Sequence, residues 1–298
     1  MPDGGVTRIY EAADGARLRT VSWPDPPTAK GHILFAGGKR DFIERHSETY
    51  HRLLGAGYGL TALDWRDQGL SARGSVRDDR LFQMMAGDFR LIAKDVAALH
   101  PAPLILMAHS MGAHMMLRVL AEDADLRAAT DRAILFAPML GIAAPLPSWL
   151  MGMVAWSQTM VGNARGRPPG QPEYGPVYRS QARCDRLTTD RTRFDEGFSF
   201  IEAESGLAAG GASWGWLYGA YRSMVALTRP GVLEGVDTPI LILLGSDERI
   251  VDPAAIRKAV RRLPHAKLHI ITGGRHELQL ESDKIQQQVW TAVDDFLS

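Results

Sequence analysis

The sequence predicts an α/β protein with a mostly parallel sheet covered by helices on both faces. Two observations carry this. Short apolar runs rich in Leu, Ile and Val recur along the 298 residues, the look of strands buried on both sides. Helical patterns separate them, and strands alternating with helices argue for parallel crossovers. A third observation concerns the middle of the chain, where this alternation stops between about residues 140 and 230 and then resumes.

The strand runs are Leu18–Val21, His32–Phe35, Leu60–Asp64, Leu104–Ala108, Ala133–Phe136, Ile240–Leu244 and Leu268–Ile271. The helical patterns are Ser47–Leu54, Leu81–Leu99, Met111–Ala121, Pro253–Arg262 and Ser282–Phe296. The interruption holds Trp149, Trp156, Trp214, Trp216, several Met and the segment GRPPGQPEYGP. It reads as a largely helical insertion, a cap over the ends of the strands. Residues 1–139 and 231–298 then form the two parts of one core, with the cap at 140–230.

Composition narrows the function classes. The chain is 45% hydrophobic and 23% charged, with a formal net charge of zero. No bulk attraction to nucleic acid is expected. The single cysteine, Cys184, rules out an internal disulfide framework and argues against a zinc–cysteine site. No metal or cofactor is expected. The start, MPDGGVTRIYEAADG, lacks the apolar stretch of a secretory signal, so a cytoplasmic location is expected. From Ala133 to Asn163 no residue is charged. Pro145 and Pro147 interrupt that run, and the stretch beyond them falls short of the ~20 residues a membrane span needs. A buried or semi-exposed apolar helix, Trp149–Met160, is the expectation.

The segment LILMAHSMGA, residues 104–113, carries the chemistry. An apolar strand ends, Ser110 comes next, and a helix begins. A nucleophile on such a tight turn needs small residues two before and two after it, which Ala108 and Gly112 supply. The amide of Met111 would face an oxyanion. Serine at a strand–helix turn is also a common helix N-cap, so the rest of the chain must supply a base and an acid. In this architecture they come in the order serine, acid, histidine. Four histidines lie beyond Ser110. His114 lies one turn into the helix, and His265 and His269 flank or occupy a strand. His276 follows the strand Leu268–Ile271 and the turn Thr272-Gly273-Gly274, the loop position a base requires. The acid should come after Leu244, where LILLGSDERIVD offers Asp247, Glu248 and Asp252. Asp252 precedes Pro253 and suits a helix cap, which leaves Asp247 and Glu248. A second oxyanion donor is expected from the loop Ala36-Gly37-Gly38-Lys39; that loop lacks the spacing and the Gly-Lys-Ser/Thr ending of a phosphate loop.

These segments resemble the lysophospholipase and monoacylglycerol lipase group of α/β-hydrolases, the serine aminopeptidase S33-like hydrolases, over nearly the whole chain. AGGKRDFIERHSETY is similar to the oxyanion loop and following helix, and LDWRDQGLSAR to the Asp-x-Arg-Gly-x-Gly-x-Ser segment. AHSMGA resembles the elbow Gly-His-Ser-Met-Gly-Gly. GSDERIVD and GGRHELQLE resemble the acid and histidine loops, and DRLTTDRTRF resembles a cap segment. The bacterial lysophospholipase L2-like branch is the most similar. The resemblance implies an α/β-hydrolase fold and a Ser110–His276–Glu248 triad, since the family's acid is the third residue after the glycine and precedes an arginine, here Arg249. Asp247 stays as the alternative acid. It implies Gly38 and Met111 as oxyanion donors. Three departures stand out: glutamate for the usual aspartate, Ala36 for a frequent histidine, and Asp67 for a glycine.

The implied activity is cleavage of a lipid carboxylic ester, with the acyl chain held by cap residues Met153, Trp156, Trp214 and Trp216. The expected partner is a small ester substrate, with a transient membrane-surface contact through the cap as a second geometry. An ester, thioester or amide of a small non-lipid molecule would suit the same serine. A catalytically silent ligand-binding protein on this fold is the reading from another class.

Overall fold

The computed structural model describes residues 1–74, 80–144 and 146–298. Pro145, one of the two prolines expected to interrupt the apolar run, lies outside them. Eight strands form one sheet: β1 (Val6–Glu11), β2 (Arg17–Trp23), β3 (His32–Ala36), β4 (Gly59–Leu63), β5 (Leu104–His109), β6 (Thr130–Phe136), β7 (Ile240–Gly245) and β8 (Ala266–Ile271). Their order is β1-β2-β4-β3-β5-β6-β7-β8. The β1–β2 and β2–β4 pairs are antiparallel, and every pair from β4 to β8 is parallel. The parallel strands β3, β4, β5 and β7 are buried at every residue, as continuous apolar runs require when both faces are covered.

The seven strands read from the sequence are all present, with ends differing by a residue or a few. β1 is the addition. Its sequence VTRIYE is exposed at all but Tyr10, so it lacks the apolar run that marks the others. It joins β2 through a turn at Asp14-Gly15, with Gly15 at φ 79°, where glycine meets no Cβ penalty.

The helices are α1 (Ser47–Gly55), α2 (Leu81–Leu99), α3 (Ser110–Glu122), α4 (Ala124–Ala129), α5 (Ser148–Met160), α6 (Gln181–Leu187), α7 (Arg191–Ala203), α8 (Trp214–Leu227), α9 (Pro253–Val260) and α10 (Asp283–Leu297). One sheet face packs Leu34, Leu106 and Leu135 against α2, α3 and α9. The other packs Phe35, Met107 and Phe136 against α1 and α10. Alternate residues of each strand thus enter opposite cores, the period-two consequence of the pleat. Asp252 caps α9, accepting a hydrogen bond from the Ala254 amide at 2.8 Å.

Four helices, α5 to α8, lie in the chain between β6 and β7. α5 packs along α8, and α8 in turn meets α2 and α3. No helix among the described residues is long and apolar enough to cross a membrane.

Candidate active site

Ser110 is the first residue of α3, directly after β5. Its φ is 51°, a left-handed conformation that costs an L-residue roughly 1–2 kcal/mol. The strained turn lifts the hydroxyl off the sheet while the following helix drops back onto it. Gly112 is required by that descent: a Cβ there would sit 2.3 Å from the Gly37 carbonyl oxygen and 2.7 Å from that of Ala36. Those are backbone atoms, so no side-chain rotation would relieve the clash.

Three loops at the carboxyl ends of β5, β7 and β8 meet here. His276 Nε2 lies 2.9 Å from Ser110 Oγ. Its Nδ1 lies 2.8 Å from Glu248 Oε2. The other carboxylate oxygen, Oε1, accepts hydrogen bonds from the amides of Ile250 at 2.6 Å and Val251 at 3.1 Å. The Glu248 side chain is fully buried. Burial pushes its carboxyl up, but the His276 ring, its hydrogen bond and the two amides outweigh this and hold the group below its ordinary value. Asp247 is exposed and bonded to Ser246 Oγ at 3.1 Å. Glu248 therefore meets the imidazole and Asp247 does not. The extra methylene lets a glutamate reach the ring while both of its oxygens stay satisfied.

The histidine loop is pinned from several sides. Gly245 ends β7 where a Cβ would meet the Gly274 carbonyl oxygen at 2.2 Å. His109 donates from Nε2 to the His276 carbonyl at 3.1 Å. The segment Leu187–Thr189, at the C-terminal end of α6, also holds the loop. The Glu277 amide donates to Leu187 O at 2.8 Å, and Arg275 Nη1 donates to Thr188 O at 2.7 Å. Buried Glu281 accepts from the Arg275 and Thr189 amides, each at 2.8 Å. The segment DRLTTDRTRF thus anchors the loop that carries His276, a role its sequence alone did not indicate.

The loop after β3 lies against the serine. A Cβ on Gly38 would be 3.2 Å from Ser110 Cβ. Trp65 Nε1 donates to Gly37 O at 2.8 Å, and Gln68 Nε2 donates to Gly38 O at 3.1 Å. Gln68 also accepts from the Arg40 amide through its Oε1. The Gly38 amide donates to the Asp41 carboxylate at 2.9 Å, so this donor is engaged rather than free. Asp41 is buried and accepts from His46 Nε2 at 2.8 Å as well; His109 Nδ1 lies 3.6 Å away. Burial pushes the Asp41 carboxyl up, yet His46, His109 and Arg45 together hold it well below the ordinary carboxylate range. A buried carboxylate three residues from the glycine is the missed feature; the short spacing Gly38–Asp41 was its signal.

The other histidines lie elsewhere. His114 is buried and bonded to Ser223 Oγ at 2.7 Å, and burial followed by the Arg118 charge lowers its pKa to about 3. His265 and His269 are exposed. Arg66 bridges Asp14 and Asp88, so it ties its loop to the β1–β2 turn and to α2. The four cap residues do not form one surface. Trp216 is buried edge-to-face on Phe82, ring centres 5.4 Å apart, and Trp214 is half-buried at the start of α8. Met153 and Trp156 are 55% and 47% exposed. They line a groove of about 830 Å³ with Trp149, Tyr218 and Arg222, and Ser110 is not among its walls. The single apolar face expected over the serine is thus divided between the main core, where Trp216 packs on α2, and an outward groove.

A serine on a strained β5–α3 turn, an acid after β7 and a histidine after β8, arranged on a sheet of this order, define an α/β-hydrolase. More narrowly, the chain belongs to the family described as Serine aminopeptidase, S33, whose model matches residues 27–283. It is 25% identical over 270 residues to the probable lysophospholipase L2 of Haemophilus influenzae, covering 89% of this chain and 83% of that protein. Among solved structures it is similar to a soluble variant of monoglyceride lipase from Saccharomyces cerevisiae, with TM-score 0.77 and 18% identity over 100% of this chain and 95% of the other. The monoacylglycerol lipase of Paleococcus ferrophilus gives a TM-score of 0.68 at 17% identity, covering 97% and 98%.

Proposed function

We propose that the protein is a cofactor-free serine hydrolase that cleaves carboxylic esters of lipids, lysophospholipids or monoacylglycerols, through an acyl-enzyme. The observation that carries this is the continuous chain Ser110 Oγ–His276–Glu248, with links of 2.9 and 2.8 Å. The names of the relatives support the ester class.

In this reading His276 Nε2 takes the Ser110 proton as Oγ attacks the acyl carbonyl. Glu248 holds Nδ1–H, which leaves Nε2 as the acceptor, and its negative charge stabilises the imidazolium that forms. The Met111 amide, at the N-terminus of α3, donates to the oxyanion, and the helix dipole adds to it. Gly38 becomes the second donor when its amide turns from Asp41 to the substrate oxygen. Each such donor is worth about 2.7–4 kcal/mol in comparable enzymes. His276 then protonates the leaving alcohol, and a water activated by the same nitrogen releases the fatty acid. The exposed face of α5, with Trp149, Met153, Trp156 and Met160 all exposed, suits contact with the lipid surface from which such substrates are drawn.

The test is fatty-acid release from monomyristoylglycerol, myristoyl lysophosphatidylcholine and p-nitrophenyl acetate. Turnover of at least one lipid well above that of acetate is expected. Hydrolysis of acetate alone would refute the lipid reading, and hydrolysis of none would refute the esterase reading.

A further inference from the structure

Arg40 and Arg183 bracket one aromatic ring beside the catalytic loops. The Arg40 guanidinium carbon lies 3.7 Å from the centre of the Tyr178 ring, and that of Arg183 lies 4.4 Å from the same centre. The two cations are therefore no farther apart than those two distances combined. Both side chains are largely enclosed by protein. Among the described residues, neither has a carboxylate partner. Arg40 spends one N–H, Nε, on the Ala209 carbonyl at 2.9 Å. Among the described residues, its two terminal nitrogens and all three guanidinium nitrogens of Arg183 have no protein acceptor, yet none is sealed from solvent.

The nearby acids are already committed. Glu277 pairs with Arg45 at 2.6 Å. Asp41 accepts from Gly38 and His46 and faces Arg45 at 3.8 Å. Burial, and next the charge of Arg183, lower the Arg40 pKa to about 9. Burial also lowers that of Arg183. Two like charges held on one ring, partly desolvated and without a counter-ion, raise the energy of the unliganded protein, and a bound anion would offset this. Arg40 is held besides at φ 67°, a strained conformation for a non-glycine residue and one that clusters at functional sites.

The position suits a substrate headgroup. Arg40 is two residues beyond Gly38, which packs on Ser110. Glu277 follows His276 and acts electrostatically on both Arg40 and Arg183. Arg40 thus continues the loop that packs on the serine, and both arginines feel the charge of the residue after the histidine, which should give its proton to the leaving alcohol. Guanidinium forks match phosphate oxygens in geometry as well as charge.

We propose that Arg40 and Arg183 form a subsite for the phosphate of the leaving group, so that the preferred substrate is a lysophospholipid rather than a neutral monoacylglycerol. This rests on the ester-hydrolase reading above. Phosphate chemistry is shared by a lipid headgroup and by free phosphate, and the headgroup is the source assigned here.

Binding to the Ser110→Ala protein separates this from catalysis. Myristoyl lysophosphatidylglycerol, monomyristoylglycerol and inorganic phosphate are titrated by calorimetry in that background, alone and with Arg40→Gln or Arg183→Gln. The lysophospholipid should bind at least tenfold more tightly than the monoglyceride, and far more tightly than phosphate alone. Each arginine substitution should remove most of that preference, and Arg183→Lys should restore part of it. Equal affinity for the two lipids would overturn the proposal, as would equal losses for both on substitution, which mark a structural role. Phosphate binding as tight as that of the lysophospholipid would overturn the headgroup assignment. Absence of turnover in the native enzyme with the binding preference intact would fault the hydrolase reading alone.

Discussion

Replacing Glu248 with glutamine would test the triad through a tautomer rather than through packing. The glutamate is fully buried and holds two different kinds of donor. Oε1 takes the Ile250 and Val251 amides, and Oε2 takes His276 Nδ1–H. A glutamine of the same shape has one acceptor atom. Two backbone donors fix the amide oxygen on their side, since an NH₂ there would face two N–H groups. The NH₂ then points at His276 Nδ1, which must become the acceptor. The proton moves to Nε2, the nitrogen that should take the Ser110 proton. The same inversion in a comparable triad lowers kcat by about 10⁴, or about 5 kcal/mol of transition-state stabilisation. We expect a loss of that order in kcat/KM on p-nitrophenyl acetate at neutral pH, with the thermal midpoint nearly unchanged. Asp247→Asn, at an exposed side chain bonded to Ser246, should stay within about twofold, as surface changes do. Retention of a tenth or more of the activity in Glu248→Gln would refute the argument. So would a larger loss in Asp247→Asn.

The same geometry sets three further outcomes. Gly112→Val should lower activity at least a hundredfold and cost about 1–3 kcal/mol of stability, because its Cβ would lie 2.3 Å from Gly37 O; urea unfolding and esterase rates check both, and a neutral substitution would contradict the close approach. His114 has a folded pKa of about 3 against an ordinary ~6.5. The unfolded chain binds the proton first, so stability is fully present above ~6.5 and falls by about 1.4 kcal/mol per pH unit below it. Urea midpoints between pH 7 and 5 should drop in the native protein, and His114→Phe should flatten that slope; an unchanged slope would show that His114 is not the cause. Substituting Met153 and Trp156 together with serine should weaken adsorption to lipid vesicles roughly tenfold or more, given about 1 kcal/mol for each half-exposed group, without changing acetate hydrolysis. Equal adsorption would mean that the α5 groove serves another purpose.

The parallel strands could be read from the sequence because burial on both faces leaves an unbroken apolar run, as in Leu104–Ala108 and Ile240–Leu244. β1 could not, because an exposed edge strand needs neither such a run nor strict alternation. That Ser110 and His276 meet was legible from chain order and loop position. Choosing Glu248 over Asp247 needed either the family pattern or coordinates: the two are adjacent, and only the loop's path decides which side chain turns inward. The α5 residues Trp149, Met153, Trp156 and Met160 recur at helical spacing and do mark one face. Spacing does not say what such a face meets: Trp156 of α5 lines an outward groove, while Trp216 of α8 enters the main core on Phe82. The Asp41–Gly38 bond was hidden for a related reason. Its partners sit in one short loop, where a charged residue reads as solvated.

The proposed chemistry depends most on Ser110 as the nucleophile. The direct measurement is labelling with a fluorophosphonate probe, with peptide mapping of the adduct by mass spectrometry. One adduct per chain on Ser110 is predicted in the native protein, with none on Ser110→Ala and a far slower rate on Glu248→Gln. Labelling of the folded Ser110→Ala protein at the native rate, or no labelling of the native protein, would contradict it.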